Sequence, residues 1–308
     1  MAYRSARIDT TSSDIPPLHT DITVIVDRSY SMRSMNGSPM TMVSELLSEQ
    51  KKIAKETEQS IHLTLVSFDN ESYKCIDNKD VTKIATPEKF QMEDWLEPRG
   101  ATRLIDTIME EIKAQRIRVD KYKHSLSNEV QKLNPIIRSV TQIITDGQDN
   151  RSKASDEDLN MEIISEKENG TTFVFLAANQ DAIQTAERFG IDQNTAMTIG
   201  ADQQTSLTGM QYANEMMRNI TRGSSEGVTP QFSNVARRLS ASINGLELLS
   251  NAAAMIYPMT QEENDIPYPL SSTPPPLVDA CGEEAPPDSP TSFILPPPPP
   301  PFGALYRS

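Results

Sequence analysis

Two hydrophobic rhythms alternate along the chain. Ile22, Val24, Ile25 and Val26 form an apolar run with almost no polar alternation, the pattern of a strand buried on both faces. The run over 21–26 stops on Asp27-Arg28-Ser29-Tyr30-Ser31, and a hydroxyl-rich loop with Asn36, Gly37 and Pro39 follows. From 40 to 58 the residues Met42, Val43, Leu46, Leu47, Ile53 and Ala54 recur at helical spacing. Residues 61–68 read as a second strand, and the Asp69-Asn70 turn leads to a weaker third around 73–76. So close a succession predicts a hairpin, hence one antiparallel edge strand.

Residues 95–100 read as a loop, after which Leu104, Ile105, Ile108, Met109 and Ile112 mark a helix opening near Thr102. Residues 117–135 are charged and helix-like without a defined end. A strand over 140–145 again stops on an acid, Asp146-Gly147. A helix over 155–168 is closed by Asn169-Gly170. Then come a strand at 171–177, a helix over 179–189, a short strand near 195–199 and a helix over 202–222. Strands alternating with helices predict an α/β fold, a three-layer doubly wound and mostly parallel sheet.

Composition divides the chain further. Residues 1–20 are a polar lead-in, 21–222 the α/β domain, and 223–256 a helical extension in which Val235, Leu239, Ile243, Leu246, Leu249 and Ala253 recur. From 257 to 308 the chain holds 15 of its 22 prolines, with seven acids against one arginine, so this segment predicts a disordered proline-rich acidic tail. The net charge of −14 over 308 residues leaves no basic stripe to neutralise phosphates, which argues against nucleic acid. No stretch is apolar and long enough to span a membrane. Cys75 and Cys281 make neither a disulfide framework nor a zinc site. With no signal-peptide pattern at the start, these features predict a cytoplasmic protein.

In an open parallel sheet, ligands bind outside the carboxyl ends of the strands, where strand order reverses. The pattern places three polar signals at that edge: Asp27-x-Ser29-x-Ser31, Thr102 after Arg99-Gly100-Ala101, and Asp146-Gly147. Singly, Ser29, Ser31 and Thr102 also read as turn or helix-cap residues. Together, two carboxylates and three hydroxyls suit a hard divalent cation with oxygen ligands and a position left for one further anion. Gly100 and Gly147 would let the backbone pass close to it.

This set resembles the von Willebrand factor type A (vWA) family. Its metal-ion-dependent adhesion site (MIDAS) consists of Asp-x-Ser-x-Ser, a distant Thr and a distant Asp. The pattern falls on Asp27, Ser29, Ser31, Thr102 and Asp146, all filled and in order, and the resemblance covers roughly residues 20–222. It implies a Rossmann-like sheet and bound Mg²⁺ or Mn²⁺. It also implies a protein partner whose Asp or Glu completes the metal shell.

Other signals carry less. Asp149-Asn150 read as a solvated turn ahead of a role in tuning the surroundings of the metal site, and Asn179-Gln180-Asp181 equally as a helix cap or as lining of the rim at the same edge. His19, His62 and His124 share no metal-ligand spacing, and Lys51-Lys52 and Arg237-Arg238 read as solvated faces. No phosphate-binding glycine loop, nucleophile elbow or His-Glu-x-x-His motif occurs, so the chain is not read as an enzyme. The expected function is an intracellular protein–protein interaction module. In its tail, Leu295, Pro296, Pro297, Pro298, Pro299, Pro300, Pro301 and Phe302 would offer a polyproline II ligand to a profilin-like, WW, EVH1 or SH3 partner. Two rivals stand beside it. One is a Mg²⁺-dependent hydrolase or phosphoryl-transfer enzyme using the same aspartates. The other is a scaffold whose only functional part is the tail.

Overall fold

In a computed structural model, residues 19–223 and 230–241 are described, apart from 86, 88, 179, 180 and 201. In chain order the elements are β1 (His19–Asp27), α1 (Ser38–Thr57), β2 (Ser60–Phe68), β3 (Ser72–Asp80), α2 (Lys89–Leu96), α3 (Leu104–Ser125) and α4 (Asn128–Lys132). There follow β4 (Ile137–Thr145), α5 (Asp156–Glu168), β5 (Thr171–Ala178), α6 (Ala182–Arg188), β6 (Ala196–Ile199), α7 (Gln203–Arg222) and α8 (Asn234–Ala241).

The strands form one sheet in the order β3-β2-β1-β4-β5-β6, in which only β3 runs antiparallel. This is a doubly wound α/β sheet with an antiparallel edge. All nine residues of β1 are buried, which explains its unbroken apolar run: Ile22, Val24 and Val26 face one layer and Ile25 the other. The first layer is filled by α1, α7 and α8 through residues such as Leu46, Met210 and Ala236. The second is filled by α3, α5 and α6 through Ile108, Leu159 and Ala186. Chain direction across the sheet reverses between β1 and β4, which places the switch point at the ends of these two neighbours.

Several elements differ from the sequence expectation. Residues 95 and 96 are not loop but the last turn of α2, in which Met92 and Leu96 are buried. The hydroxyl-rich loop contains a 3₁₀ turn, Tyr30–Met35, pinned by buried Met32 and Met35. Helix α1 begins before Met40, with Pro39 in its first turn where no intrahelical N–H is needed. Helix α3 runs on to Ser125, and Asp181 caps α6 from outside, accepting from the amides of Ile183 and Gln184. Arg237 is not on a solvated face: its guanidinium donates to the carbonyls of Gln193 and Ala196, fastening α8 to β6. Among the described residues no helix is long and apolar enough to cross a membrane. The tail residues 295–302 lie outside the described residues.

Close packing of α7 on β6 depends on Gly209, where an added Cβ would overlap Ile199 Cγ2 and lie 3.2 Å from Ser240 Cβ. Ile199 is itself buried and cannot swing aside. Gly209→Ala is therefore expected to destabilise the domain by about 1–3 kcal/mol through overpacking, outweighing the gain in helix propensity. A lower urea midpoint with unchanged m-value would be the signature, and an unchanged midpoint would contradict it.

Candidate functional site

The carboxyl ends of β1 and β4 bring two acids together. Asp27 ends β1, and Asp146 follows β4 directly; both are buried, as are Ser29 and Thr102, whereas Ser31 is exposed. Ser29 and Ser31 are connected through their Oγ atoms at 3.1 Å, and Ser31 Oγ donates to Asp146 Oδ1 at 2.7 Å. The Ser29 amide donates to Asp27 Oδ1 at 2.6 Å, which folds the loop back over the strand end. Thr102 enters from the other side. A Cβ added at Gly147 would lie 3.3 Å from Thr102 Oγ1 and 3.6 Å from Ser31 Oγ, so glycine here admits both hydroxyls. The five residues singled out by spacing thus meet at one point of the fold.

Gly100 differs from expectation. Its added Cβ would meet Asp69 Cβ at 3.1 Å and the Asn70 side chain, and its φ of +70° is the left-handed conformation glycine adopts freely. It serves a turn between two supporting loops and not the approach to an ion.

Four supporting residues were missed or undervalued by the sequence reading. Thr145 Oγ1 donates to Asp27 Oδ2 at 2.7 Å, so β4 reaches across to hold the acid of β1. Asn150 clasps Thr102: the Thr102 amide donates to Asn150 Oδ1, and the Asn150 amide to the Thr102 carbonyl, each at 3.0 Å. Asp149 accepts from the Ile105 amide at the start of α3 and from Ser152. The pair 149–150 is therefore a brace and not a solvated turn. Asp69 gathers the nearby cations, with Arg28 Nε at 3.1 Å and Arg99 Nε at 2.7 Å. The sequence signals for these residues were slight, a threonine directly before Asp146 and an Asp-Asn pair shortly after it.

Among the described residues no cationic side chain pairs with the two central acids. Burial pushes the Asp27 carboxyl up to about 6, and the charge of Asp146 adds to the rise, while hydrogen bonds from Thr145 and Ser29 oppose it. Burial likewise raises Asp146, against the hydrogen bond from Ser31. Asp146 Oδ2 is buried and accepts no hydrogen bond among the described residues. An acceptor oxygen left without a donor in a cluster made wholly of oxygen donors fits a hard divalent cation. Asp27, Ser29, Ser31, Thr102 and Asp146 are the residues that would hold it. The described residues contain no group of three or more His, Cys, Asp or Glu set to hold a metal, so a site here draws on hydroxyls.

The other pole of the sheet is different in kind. The His19 ring stacks on Tyr122 at 3.7 Å and meets the His62 ring edge-on at 5.1 Å, although the two histidines are far apart in sequence. Asn179 and Gln180 lie outside the described residues.

In sequence, no family model and no curated protein matches the chain. Among solved structures it is similar to proximal thread matrix protein 1 from the mussel byssus, in a form with zinc occupying its MIDAS motif. The identity is 16%, over 66% of this chain and 46% of that one, with a TM-score of 0.43. It is also similar to a von Willebrand factor type A protein from Catenulispora acidiphila (14% identity, 66% and 43% coverage, TM-score 0.39). A third is the conserved hypothetical protein BatB from Bacteroides thetaiotaomicron (12% identity, 65% and 98% coverage, TM-score 0.39). The chain spans less than half the length of the first two.

The raised Asp27 carboxyl sets a pH dependence for metal-free protein. Its folded-state pKa lies above the unfolded value, so between about pH 4 and 6 the folded state binds the extra proton, and stability falls as pH rises through that window. In EDTA, wild type should lose on the order of 3 kcal/mol relative to Asp27→Asn between pH 4 and 7. Urea unfolding of both proteins across that range measures it. Parallel pH profiles would show that Asp27 does not carry this burden.

Proposed function

We propose that the chain is a protein–protein interaction module of the vWA kind, binding an acidic group of a partner through a divalent cation. The observation that carries this reading is the buried, unpartnered Asp146 Oδ2 inside an all-oxygen cluster at the switch point of the sheet. Asp27 and Asp146 supply the compensating charge, and Ser29, Ser31 and Thr102 supply neutral oxygens. Two acids against a doubly charged ion leave it able to accept one more anionic ligand, which is the partner's Asp or Glu. Mg²⁺ and Mn²⁺ are the ions this donor set favours. The six-proline segment ending in Phe302 would recruit a second partner, one with an aromatic groove.

Three of the cations near the site are already committed to carboxylates. Arg28 and Arg99 pair with Asp69, and Arg103 with Asp106 and Glu110, so none of the three is left to clamp a phosphoryl group.

Calorimetric titration of the full chain with Mg²⁺ and Mn²⁺, beside Asp27→Ala and Asp146→Ala, tests the metal. Wild type should bind and gain several degrees in Tm at millimolar metal, whereas both variants should stay folded by circular dichroism and lose the response. A wild-type Tm indifferent to millimolar Mg²⁺ and Mn²⁺ would end the proposal.

A further inference from the structure

The loops that carry the site also carry two arginines, Arg33 and Arg151, that are matched to no carboxylate among the described residues. Arg33 lies on the Tyr30–Met35 turn, two residues beyond Ser31, and Arg151 directly follows the Asn150 that clasps Thr102. Both are exposed, and neither makes an ion pair among the described residues. They contrast with Arg28, Arg99 and Arg103 on adjoining loops, each matched to a carboxylate. No acid occupies the turn that carries Arg33. Asp149, the acid nearest Arg151 in sequence, already accepts from the amides of Ile105, Arg151 and Ser152.

Arg33 is also held in place. Its guanidinium lies 4.5 Å from the centroid of the Tyr30 ring, and Nη1 donates to Tyr30 Oη at 3.2 Å. Tyr30 is itself 60% exposed, standing between the two serines of the site, and its amide donates to the Gly100 carbonyl at 3.3 Å. A large aromatic exposed beside the cluster and carrying an oriented guanidinium is a contact surface with no internal use. Its planar fork presents N–H donors matched to a carboxylate.

We infer that the partner presents a run of acids, in which one carboxylate meets the metal and its neighbours pair with Arg33 and Arg151. This inference rests on the metal-dependent reading above and names the chemistry of its ligand. The two arginines select an acidic peptide segment over an isolated Asp or Glu, and Tyr30 is a positioning residue for Arg33. Charges at the rim act chiefly on encounter and selectivity, so the discrimination weakens with salt.

The test measures the affinities of the full chain for two blocked, fluorescently labelled peptides by anisotropy in Mn²⁺ at low salt. One carries a single Asp among Gly and Ser, and the other carries Glu-Asp-Glu in the same frame. The three-acid peptide should bind roughly fivefold more tightly, the scale of two exposed ion pairs. That ratio should fall close to one in the Arg33→Gln/Arg151→Gln double variant, and also in wild type at high salt. Metal-dependent binding that is blind to the extra acids, or a ratio that survives the double substitution, overturns the inference and leaves the metal reading standing. A ratio that needs both arginines but persists in EDTA overturns the metal reading instead, and no binding of either peptide overturns both.

Discussion

Two carboxylates held out of water within one hydrogen-bonded cluster, with no cationic side chain beside them among the described residues, are the constraint around which this fold is arranged. Asp27 and Asp146 arrive there because β1 and β4 are neighbours at the point where the sheet reverses direction. Their mutual repulsion is tolerated only because donors are fixed around them. Thr145 reaches from β4 to the acid of β1, and Ser31 from the β1 loop to the acid of β4. Each strand end thus steadies the acid of the other, so the site cannot open without disturbing the central pair of the sheet.

The loops are braced in turn by a second ring of contacts that never touches the centre. Asp69 holds Arg28 and Arg99, and the Arg103 amide donates to its carbonyl at 3.0 Å. Asn150 clasps the backbone of Thr102, while Asp106 in the first turn of α3 accepts from the amides of Lys153 and Ala154. Three of these bonds run from a backbone amide to a side-chain oxygen. They fix loop conformation directly, which is what a preorganised set of oxygen donors requires.

The elements most legible in the sequence are those whose burial is simplest. β1 and β5 are covered on both faces and read as nearly unbroken apolar runs, while β4 reads as a strand rich in β-branched residues over 140–145. α1 and α7 lay one apolar stripe on the sheet and show a clear period. Legibility fails where the buried face is polar or short. The second half of α3 packs through Gln115 and Arg118 against Asp21 and Thr23, so its inward positions look like surface. The Tyr30–Met35 turn has two buried anchors, Met32 and Met35. In the site, the five principal residues were legible because each sits at a strand-to-loop junction in a recognisable spacing. Thr145 and Asn150 were not, because their work is to bond residues more than forty positions away, and no local pattern encodes such a partner.

Two acids within β1 are held in contrasting ways. Asp21 and Asp27 lie on the same strand and are about equally buried. Asp21 is satisfied by the fold: Arg118 contacts both its carboxylate oxygens at 3.1 Å, and Gln115 Nε2 donates to it at 3.1 Å. A buried carboxylate so matched needs nothing from outside. Asp27 receives neutral donors only, although Arg28 is the next residue and is itself buried; that guanidinium turns away to Asp69. The sheet therefore neutralises the acid at its amino end and leaves the acid at its carboxyl end unneutralised, beside a second one. Keeping two such charges costs stability that one well-placed arginine would restore.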